Sequence, residues 1–596
     1  MYKQHHEIHT ELAEVALGKR KAEVVIEKGT LVNVLTSELL ENQSIAISNG
    51  RVAYVGDDVT HTIGPDTRII QAEGRYIAPG LMDAHMHVES TMLSVTEFAK
   101  AAMAKGTTSI FMDPHEIANV FGAEGVRLMH EEGQQLPLKV FTTFPSCVPA
   151  TDHLEDAGAK LDVADIKEGL TWDNVVGLGE VMNFPGVIQG DAKMIGEIKE
   201  TMKANKTVTG HFPDGSDEML QAYIASGVTS DHETVTREEG LKKARLGMHV
   251  MIREGSAWHD VKEVIKIVTE DKVSTENIML VTDDVYPQTL VEQGHLNHVV
   301  RRAIEEGVAP VTAIQMATIN VARYYRKDHD LGSIAPGKCA DIMLLDDLHT
   351  VEPTLVMTDG QVIVENKQIV GAFPAYLYPA HIKNSVQVGR KFKPEDFLLK
   401  SKRDNSSTRI NVIKVIENSA RTEKLEADVP VVDGIIQPDV EQDILRIACI
   451  DRHHGSGQLS LGFTQGFQIK KGAVASTVAH DSHNLLVMGE NVGDMVVAAN
   501  LLAESGGGMI VVQDAEVLAH VRMPIAGLMS DQTLETVIRE VTELEQAWKQ
   551  IGSLIHAPFM TFSLIALPVI PEIRITNRGI ADITNFELIE TEIEPN

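Results

Sequence analysis

A regular alternation of short apolar runs with helix-like stretches, sustained between residues 77 and 326, is the feature that most constrains the fold. Stretches such as Val95–Lys105 and Asp191–Lys203 separate many of the runs. Strands and helices that alternate over this length predict a (β/α)8 barrel, an α/β fold around a parallel sheet. The eight strand-like runs are Tyr76–Asp83, Thr107–Asp113, Lys139–Pro145, Val175–Glu180, Thr207–His211, Gly227–His232, Met248–Arg253 and Ile278–Asp283.

The two segments that flank the barrel have the same sequence pattern, which is typical of one small β module. Residues 1–76 and 327–384 contain short β-branched runs, after a mixed-charge helix predicted over residues 7–20. Asn49-Gly50 and Asp359-Gly360 stand where tight hairpin turns need positive φ. Because the same pattern of short β-branched runs occurs on both sides of the barrel, we predict a composite β-sandwich into which the barrel, residues 77–326, is inserted.

The remainder of the chain, residues 385–596, has a different character. It begins with the polar string KPEDFLLKSKRDNSSTR, which indicates a domain boundary. Strand-like runs then mix with helical stretches such as Asp531–Gly552. We therefore predict a separate C-terminal α+β domain.

Charge and cysteine usage narrow the class of protein. Lys and Arg total 53 against 85 Asp and Glu, a formal net charge of −32, so we expect neither nucleic acid nor a membrane surface as a partner. Cys147, Cys339 and Cys449 lie far apart with no CxxC pair, which fits a reducing cytoplasm. The charged N-terminus lacks an apolar signal core, and no apolar run reaches the ~18 residues of a membrane span. These features predict a globular cytoplasmic enzyme.

Histidines and carboxylates end several of the strand-like runs. In a (β/α)8 barrel the active site lies at the carboxyl ends of the strands, so these positions are informative. His85 and His87 lie two apart on the first run, so both can face the barrel mouth and bind one metal ion. An HxH pair alone is a weak signal, but later runs add further ligand types. The predicted metal ligands are His85, His87, Glu180, His211, His232 and Asp283.

Six such ligands suffice for two divalent cations, with Glu180 as a carboxylate that can bridge them. A hydroxide held between two cations is a strong nucleophile near neutral pH. Taken singly, these residues have ordinary alternatives: His211 as a capped loop histidine and Asp283 as a helix N-cap. Their order at successive strand ends favours the metal site.

Other polar residues near the strand ends have two interpretations each. Pro114 keeps Asp113 out of helical geometry, so its carboxylate can project at the mouth, and Glu116 follows in the first turn of the next helix. Both are either catalytic groups or an N-terminal helix cap. Glu89 either supports a metal-binding histidine or begins a helix. Arg253 either orients the substrate or forms a structural ion pair.

A second group of histidines lies in the C-terminal domain. His453, His480, Asp481 and His483 have a spacing that fits turns as well as metal ligands. The alternatives are another metal site or a structural cluster in a domain that closes over the barrel mouth. We favour the structural role.

Several long strings resemble the bacterial adenine deaminase family of the amidohydrolase superfamily. The likeness covers nearly the whole chain, and the strings are far more specific than HxH. Members of this family have a metal-dependent barrel, a β-sandwich made of both flanks and an extra C-terminal domain, in agreement with the boundaries above. The strings are DAHMHVES, DPHEIANV, SCVPA, GEVM, IREGS and TDD in the barrel, and AHDSHN and PIAGLM in the last domain.

The resemblance implies that adenine and water give hypoxanthine and ammonia. By position, it makes the six predicted ligands a binuclear metal and catalytic group, occupied by manganese or iron; imidazole and carboxylate also suit zinc. Asp283 is then the base that accepts the proton of the hydroxide and passes it toward the leaving nitrogen. Glu180 either bridges the cations or protonates the purine ring.

Two positions depart from the family pattern. The family often has a basic residue after the Asp pair of the eighth run, where this chain has Val285. It often has a small residue and glycines after the fifth-run histidine, where this chain has Phe212-Pro213-Asp214. We expect these side chains to border the purine pocket and to shift the choice of substrate.

Two other functions stay open: a hydrolase of another aminopurine or a cyclic amide, and a non-catalytic paralogue. The fourth run lacks a lysine that could bridge two metals, which argues against the carboxylated-lysine cyclic-amide enzymes. Retention of every ligand type argues against a paralogue, since unused buried charges are costly. Large enzymes of this kind are commonly symmetric, so we also expect a homo-oligomer.

Overall fold

The computed structural model of the protein describes residues 4–213, 215–256, 258–403, 405–417 and 419–594. The N-terminal segment begins with a helix and continues as five strands. These elements are α1 (His5–Ala16), β1 (Val24–Asn33), β2 (Glu38–Ser48), β3 (Arg51–Gly56), β4 (Arg68–Gln71) and β5 (Tyr76–Pro79). Asn49 and Gly50 turn β2 into β3 with φ angles of 49° and 77°, as a tight hairpin requires.

The middle of the chain forms the barrel, with strands followed by helices in sequence. Its strands are β6 (Leu81–Met86), β7 (Thr107–Met112), β8 (Lys139–Phe144), β9 (Val175–Val181), β10 (Thr207–Gly210), β11 (Ser230–Asp231), β12 (His249–Arg253) and β13 (Ile278–Val281). Its helices are α2 (Val95–Ala104), α3 (His115–Gly133), α4 (Val163–Gly169), α5 (Phe184–Gln189), α6 (Ala192–Lys203), α7 (Asp217–Ala225), α8 (Arg237–Arg245), α9 (Val261–Val264), α10 (Lys266–Thr269), α11 (Pro287–Glu292), α12 (Leu296–Glu305), α13 (Pro310–Met316) and α14 (Ile319–Tyr324).

The eight barrel strands are parallel and pair in chain order. β6 to β10 form a five-stranded sheet and β11 to β13 a three-stranded sheet. A hydrogen bond from Thr229 N–H to the Val208 carbonyl, 3.0 Å, joins the two sheets on one side. On the other side, His87 N–H donates to the Asp283 carbonyl at 3.1 Å, beside a parallel bridge between Met86 and Asp283. The predicted (β/α)8 fold class is confirmed.

The chain then returns to the outer module. Its four strands are β14 (Ile342–Leu345), β15 (Pro353–Thr358), β16 (Gln361–Glu365) and β17 (Gln368–Ile369). They continue the N-terminal strands in one nine-stranded sheet of order β17-β16-β15-β14-β5-β1-β2-β3, with β4 also paired to β1. Apolar side chains from both flanks, such as Ile26, Ile45, Ile342 and Leu355, pack in one cluster. The outer module is therefore built from both sides of the barrel.

Strand β5 corrects the predicted first run. The run Tyr76–Asp83 is two strands, because β5 pairs with β1 and β14 in the outer sheet, whereas β6 pairs with β7 in the barrel. A Cβ atom at Gly80 would lie 2.3 Å from the Thr108 side chain, so only glycine fits where the chain passes from one sheet to the other. Nothing in an unbroken apolar run indicates that the chain changes from one sheet to another.

The sixth run, predicted as Gly227–His232, is also shorter than expected. Only Ser230–Asp231 form strand β11. Gly227 has a φ of 111°, which a regular strand does not adopt.

In the described residues of the C-terminal domain, the strands form a nine-stranded and a three-stranded sheet, accompanied by three α-helices. Its strands are β18 (Ser407–Val415), β19 (Thr422–Val432), β20 (Ile435–Ile436), β21 (Ile444–Ile450), β22 (Leu459–Gln465), β23 (Ala473–Ser476), β24 (Leu485–Gly489), β25 (Gly508–Gln513), β26 (Glu516–Arg522), β27 (Ile573–Thr576), β28 (Gly579–Asp582) and β29 (Glu587–Ile589). Its helices are α15 (Val492–Glu504), α16 (Leu534–Gln550) and α17 (Pro558–Leu564). Helix α16 falls within the predicted stretch Asp531–Gly552.

The C-terminal domain packs on loops at the barrel mouth. Ser530 N–H donates to the Met92 carbonyl at 2.8 Å, and the rings of Tyr286 and Phe559 lie 5.1 Å apart. The largest apolar cluster contains residues of the barrel, the outer sheet and the C-terminal domain. The domain is thus continuous with the barrel core at the end where the strand-end residues lie.

Across the described ranges, none of the helices is both long enough and apolar enough to cross a membrane.

Candidate metal centre and active site

The six predicted ligands converge at the carboxyl ends of the barrel strands. Five of them are buried and His211 is half-buried. β6 carries His85 and leads directly to His87, β9 carries Glu180, and the other three residues follow β10, β11 and β13 within two positions. Parallel strands bring their carboxyl ends to one rim, so residues distant in sequence meet there.

The HxH pair is oriented by hydrogen bonds and by packing. His87 Nδ1 lies 2.9 Å from the Asp113 carbonyl, so Nδ1–H donates and Nε2 keeps its lone pair. That Nε2 lies 3.4 Å from Glu180 Oε1 and 3.3 Å from Asp283 Oδ1. His85 Nε2 is buried and has no hydrogen-bond partner among the residues that the structure describes. A buried lone pair without a donor fits a metal ligand.

Glu180 occupies the middle of the group. Its Oε2 lies 2.7 Å from His211 Nδ1 and 3.1 Å from His232 Nε2, while Oε1 faces His87. Burial alone would raise the pKa of Glu180, but the imidazoles of His232 and His211 outweigh it and hold the pKa well below 4.5. The carboxylate is therefore ionised, with Oε2 toward His211 and His232 and Oε1 toward His87.

Asp283 closes the group on the opposite side. Its φ of 61° lies in the left-handed region, which Asp tolerates better than most residues. Oδ1 lies 3.4 Å from His85 Nε2, and Oδ2 accepts a hydrogen bond of 3.1 Å from Arg253. Burial would raise the pKa of Asp283, but the neighbouring His85 and His87 side chains, with the charges of His232 and Arg253, hold it well below 3.8.

These donors fit a divalent metal. Several overlapping sets in the described part of the chain have ligand atoms within 4.8 Å of one another, among them His85, His87 and Glu180; His85, His232 and Asp283; and Glu180, His211 and His232. Neutral imidazoles with carboxylates are ligands that suit zinc, iron and manganese. The site is thus a candidate centre for divalent metal.

Two neighbours of the centre were missed in the sequence. His115 Nδ1 lies 3.3 Å from Glu180 Oε1, and its ring is 4.7 Å from that of His87. Glu233 lies 3.7 Å from His232 Nε2 and is ion-paired with Arg253. The only sequence signal for His115 was its position between Asp113 and Glu116. The only signal for Glu233 was its position next to the predicted ligand His232.

The structure separates the alternatives for the carboxylates near the mouth. Asp113 is fully buried, and its Oδ2 accepts a 2.8 Å hydrogen bond from Glu180 N–H. Gly179 makes this possible, because a Cβ there would lie 2.6 Å from the same oxygen. Glu89 accepts from Ile117 N–H at 3.3 Å and so caps the first turn of α3. Glu116, by contrast, faces Ser90 and the C-terminal domain, with Ser90 Oγ 3.5 Å from its Oε1.

Arg253 is an ion-paired residue rather than an exposed guanidinium. It is buried and contacts Glu233, Asp260 and Asp283, with 2.6 Å between its Nε and Asp260 Oδ2. Its contacts join the ends of neighbouring strands.

The C-terminal histidines divide into two kinds. His453 Nε2 lies 2.7 Å from the Ser482 carbonyl and supports that loop. His480 and His483 instead lie beside Glu116 and form with it another group of potential ligands within 4.8 Å. The C-terminal domain therefore reaches the candidate active site.

Val285 and Phe212, one residue from each departure from the family pattern, are buried in apolar clusters. Val285 is buried in the cluster shared by the barrel and the C-terminal domain. Phe212 packs on Phe184 and Tyr223 behind the strands. Asp214 lies outside the described residues. The expectation that these positions influence the choice of substrate stays a prediction.

A (β/α)8 barrel with HxH on its first strand and histidines and carboxylates at later strand ends defines a metal-dependent hydrolase. The sequence matches the amidohydrolase family over residues 76–363 and the adenine deaminase C-terminal domain over residues 419–587.

Similarity to curated proteins extends over nearly the whole chain. This chain is 49% identical to an adenine deaminase of Moorella thermoacetica over 585 residues, 98% of each chain. It is 48% identical to one of Clostridium botulinum, covering 99% of this chain and 98% of that one, and 45% identical to one of Mesorhizobium japonicum, covering 98% and 97%. The chain belongs to the adenine deaminase family of amidohydrolases.

Proposed function

We propose that the protein deaminates adenine, with water as the second substrate and hypoxanthine and ammonia as products. One observation carries the proposal: the metal-binding geometry at the strand ends occurs in a chain 49% identical to an adenine deaminase over 98% of its length. No described feature favours a cyclic amide, and the fourth-strand ligand is Glu180 rather than a lysine.

We assign two divalent cations, manganese or iron, to the six ligands, and zinc is chemically compatible. His85 and His87 would share one cation, His211 and His232 the other, with Glu180 between the two pairs and Asp283 beside the first. When bound, such cations lower the pKa of water from 15.7 to about 7 and so supply a nucleophile near neutral pH.

The proton transfers are assigned to two carboxyl groups in opposite states. Asp283 has a depressed pKa and is the base, since it can accept the proton of the attacking water and return it to the departing amine. Glu116 is the acid. Burial raises its pKa well above 4.5, and nearby Glu89 raises it further, so it can protonate a ring nitrogen.

Glu180 and Asp113 hold the geometry in this scheme. The two oxygens of Glu180 face different histidines and its pKa is low, which supports a bridging role over the acid role. Asp113 fixes the Glu180 backbone through its side chain and His87 through its carbonyl. Neither needs to exchange protons with the purine.

The test is ammonia release by metal-loaded protein with adenine, N6-methyladenine, guanine and a cyclic amide. We expect adenine to have the highest kcat/KM. His85→Ala should lose metal and activity together, whereas His298→Ala on α12, away from the centre, should lose neither. A higher kcat/KM for another aminopurine would assign a related hydrolase instead, and full activity without metal would reject the metal assignment.

We also propose a cytoplasmic homo-oligomer. The three cysteines are buried free thiols, which supports a reducing compartment. Large enzymes are commonly symmetric assemblies. Light scattering of the purified protein measures the mass, and a monomer would reject the second part.

A further inference from the structure

A loop of the C-terminal domain, residues 479–484, lies against the barrel mouth beside Glu116. Its central residues are buried, with His483 fully so. His480 Nδ1 is 3.5 Å from Glu116 Oε1, and His483 Nε2 is 3.9 Å from Glu116 Oε2. Two imidazoles from one domain thus meet one carboxyl group from the other.

The three side chains have the composition of a further metal site, but the protonation of His483 excludes it as a ligand. Ala479 N–H donates to His483 Nδ1 at 3.2 Å. A neutral imidazole has one N–H, so when Nδ1 accepts a hydrogen bond the proton is on Nε2. Burial keeps the pKa of His483 well below 6.5, which maintains the neutral ring. Nε2 therefore has no lone pair for a cation and can only donate.

The loop is held in place without help from Glu116. Arg452, fully buried, donates from Nε to the His483 carbonyl and from Nη1 to Ser385 Oγ at 3.0 Å. His483 N–H donates to the Ala479 carbonyl at 2.7 Å. Meanwhile His483 Nε2 is buried and makes no hydrogen bond within the described ranges of the chain. An N–H group without a hydrogen-bond partner in the described chain thus lies 3.9 Å from Glu116 Oε2, on a ring that the loop holds in place.

We propose that His483 is a positioning residue of the active site: its Nε2–H holds Glu116 Oε2, and so sets the orientation of the Glu116 carboxyl group. The proposal rests on the proposed function, in which Glu116 protonates the purine. A protonated carboxyl group has one O–H and one accepting oxygen. With Oε2 occupied as the acceptor, the acidic proton resides on Oε1. Ser90 Oγ lies 3.5 Å from that oxygen, and its single hydrogen is donated to the closer Asp284 carboxylate. The 3.9 Å gap closes with a small rotation, as hydrogen bonds in unliganded sites often tighten when substrate binds.

A double-mutant cycle on the metal-loaded full chain tests this inference. His483→Phe keeps the ring bulk and removes the donor, and we expect kcat for adenine to fall by up to about 10²-fold with little change in KM. If His483 acts through Glu116, the double variant with Glu116→Gln is no slower than Glu116→Gln alone. Losses that multiply, or a His483→Phe enzyme as fast as wild type, would overturn the proposal.

Two further variants separate positioning from folding. His483→Gln retains an N–H near the position of Nε2 and should recover most of the lost kcat. His520→Phe, a half-buried histidine of β26 that contacts Ser505, is the matched control and should leave kcat unchanged. All variants are compared at equal metal content and melting temperature. If His483→Phe does not fold, His483→Leu replaces it in the cycle.

Crystal structures give a readout that does not need turnover. The Glu116 carboxyl group should rotate away from residue 483 in His483→Phe and stay in place in His483→Gln. An unchanged carboxyl in both variants would refute the positioning role. Failure of the wild type to release ammonia from adenine would instead refute the proposed function, while the crystallographic comparison still decides the contact.

Discussion

At the scale of single residues, the centre depends on which groups carry protons. His87 donates through Nδ1 to a backbone carbonyl, so its Nε2 is free to bind a metal. His483 accepts through Nδ1, so its Nε2 can only donate. Two histidines near one pocket therefore have opposite chemistry, and the backbone partner of each decides it.

The base assignment predicts the effect of Asp283→Asn. The amide can still bond to Arg253 but cannot accept a proton, so we expect kcat to fall by about 10²–10⁴-fold. Metal content should stay close to that of the wild type, as measured by elemental analysis. Asp260→Asn is the control, because it also contacts Arg253 but lies away from the metal ligands. Comparable losses in the two variants would indicate that Arg253, not the base, had been disturbed.

The buried carboxyl group of Glu197 predicts that the stability of the fold depends on pH. Glu197 on α6 is fully buried, and in the described chain neither carboxyl oxygen has a hydrogen-bond partner. Burial raises its pKa from 4.5 to about 8. Between these values the folded protein binds a proton that the unfolded chain has lost, so the contribution of Glu197 to stability falls as pH rises through this window.

Glu197→Gln removes that titration. We expect the variant to gain stability over wild type at about pH 8 and to gain much less at about pH 5, from urea midpoints at both values. Glu200→Gln on the same helix, where the side chain pairs with Lys203, should give no such gain. An equal effect of Glu197→Gln at both pH values would show that the carboxyl group is not buried in its neutral form.

At the scale of elements, a single ionic network joins the strand ends. Arg253 at the end of β12 reaches Glu233 after β11 and Asp283 after β13, and all three side chains are at least largely buried. Parallel strands in a barrel have no hairpins to fix their ends relative to one another. The guanidinium, which can donate five hydrogen bonds in a fixed plane, supplies that constraint.

Arg253→Met should therefore destabilise the fold as well as the site. Removal of one partner leaves buried carboxylates unpaired, which typically costs about 3–5 kcal/mol. We expect a lower urea midpoint for the holoenzyme. Arg409→Met is the control, since Arg409 forms an exposed pair with Glu426, worth about 0–1 kcal/mol. Equal midpoints for the two variants would show that the network does not stabilise the barrel.

At the scale of the whole molecule, the barrel and the C-terminal domain share one apolar cluster. Tyr286 follows the last barrel strand and contacts Phe559 in α17, and Met92 at the mouth bonds to Ser530. The same face brings His483 to Glu116. Closure of the active site and stability of the domain interface are thus physically coupled.

This coupling predicts one calorimetric transition for both domains. Phe559→Ala removes a buried ring, a change that typically costs about 3–5 kcal/mol, and should lower the melting temperature of that single transition. Phe586→Ala, with 48% of the residue exposed, should have little effect. Two transitions, of which only one moves in Phe559→Ala, would show that the domains unfold independently.

Much of the fold was predictable because its signals are local. Strand and helix periodicity, together with the residue that ends each run, predicted the barrel and the six residues that the structure brings together; their roles stay predictions. Turns such as Asn49-Gly50 could also be predicted, because a positive φ depends on the identity of one or two residues. The strand boundaries within continuous apolar runs could not be predicted, and the run across Gly80 gave no indication that the chain passes from one sheet to another.

What the sequence by itself determined is therefore the set of elements and the ligand types at the strand ends. Only the tertiary structure decided that Val285 and Phe212 are core residues, that His115 borders Glu180, and that His483 faces Glu116. The physical reason is that these contacts join different elements of the chain, within the barrel for Phe212 and His115 and between two domains for His483. Periodicity reports which face of an element is apolar, but not which distant element covers it.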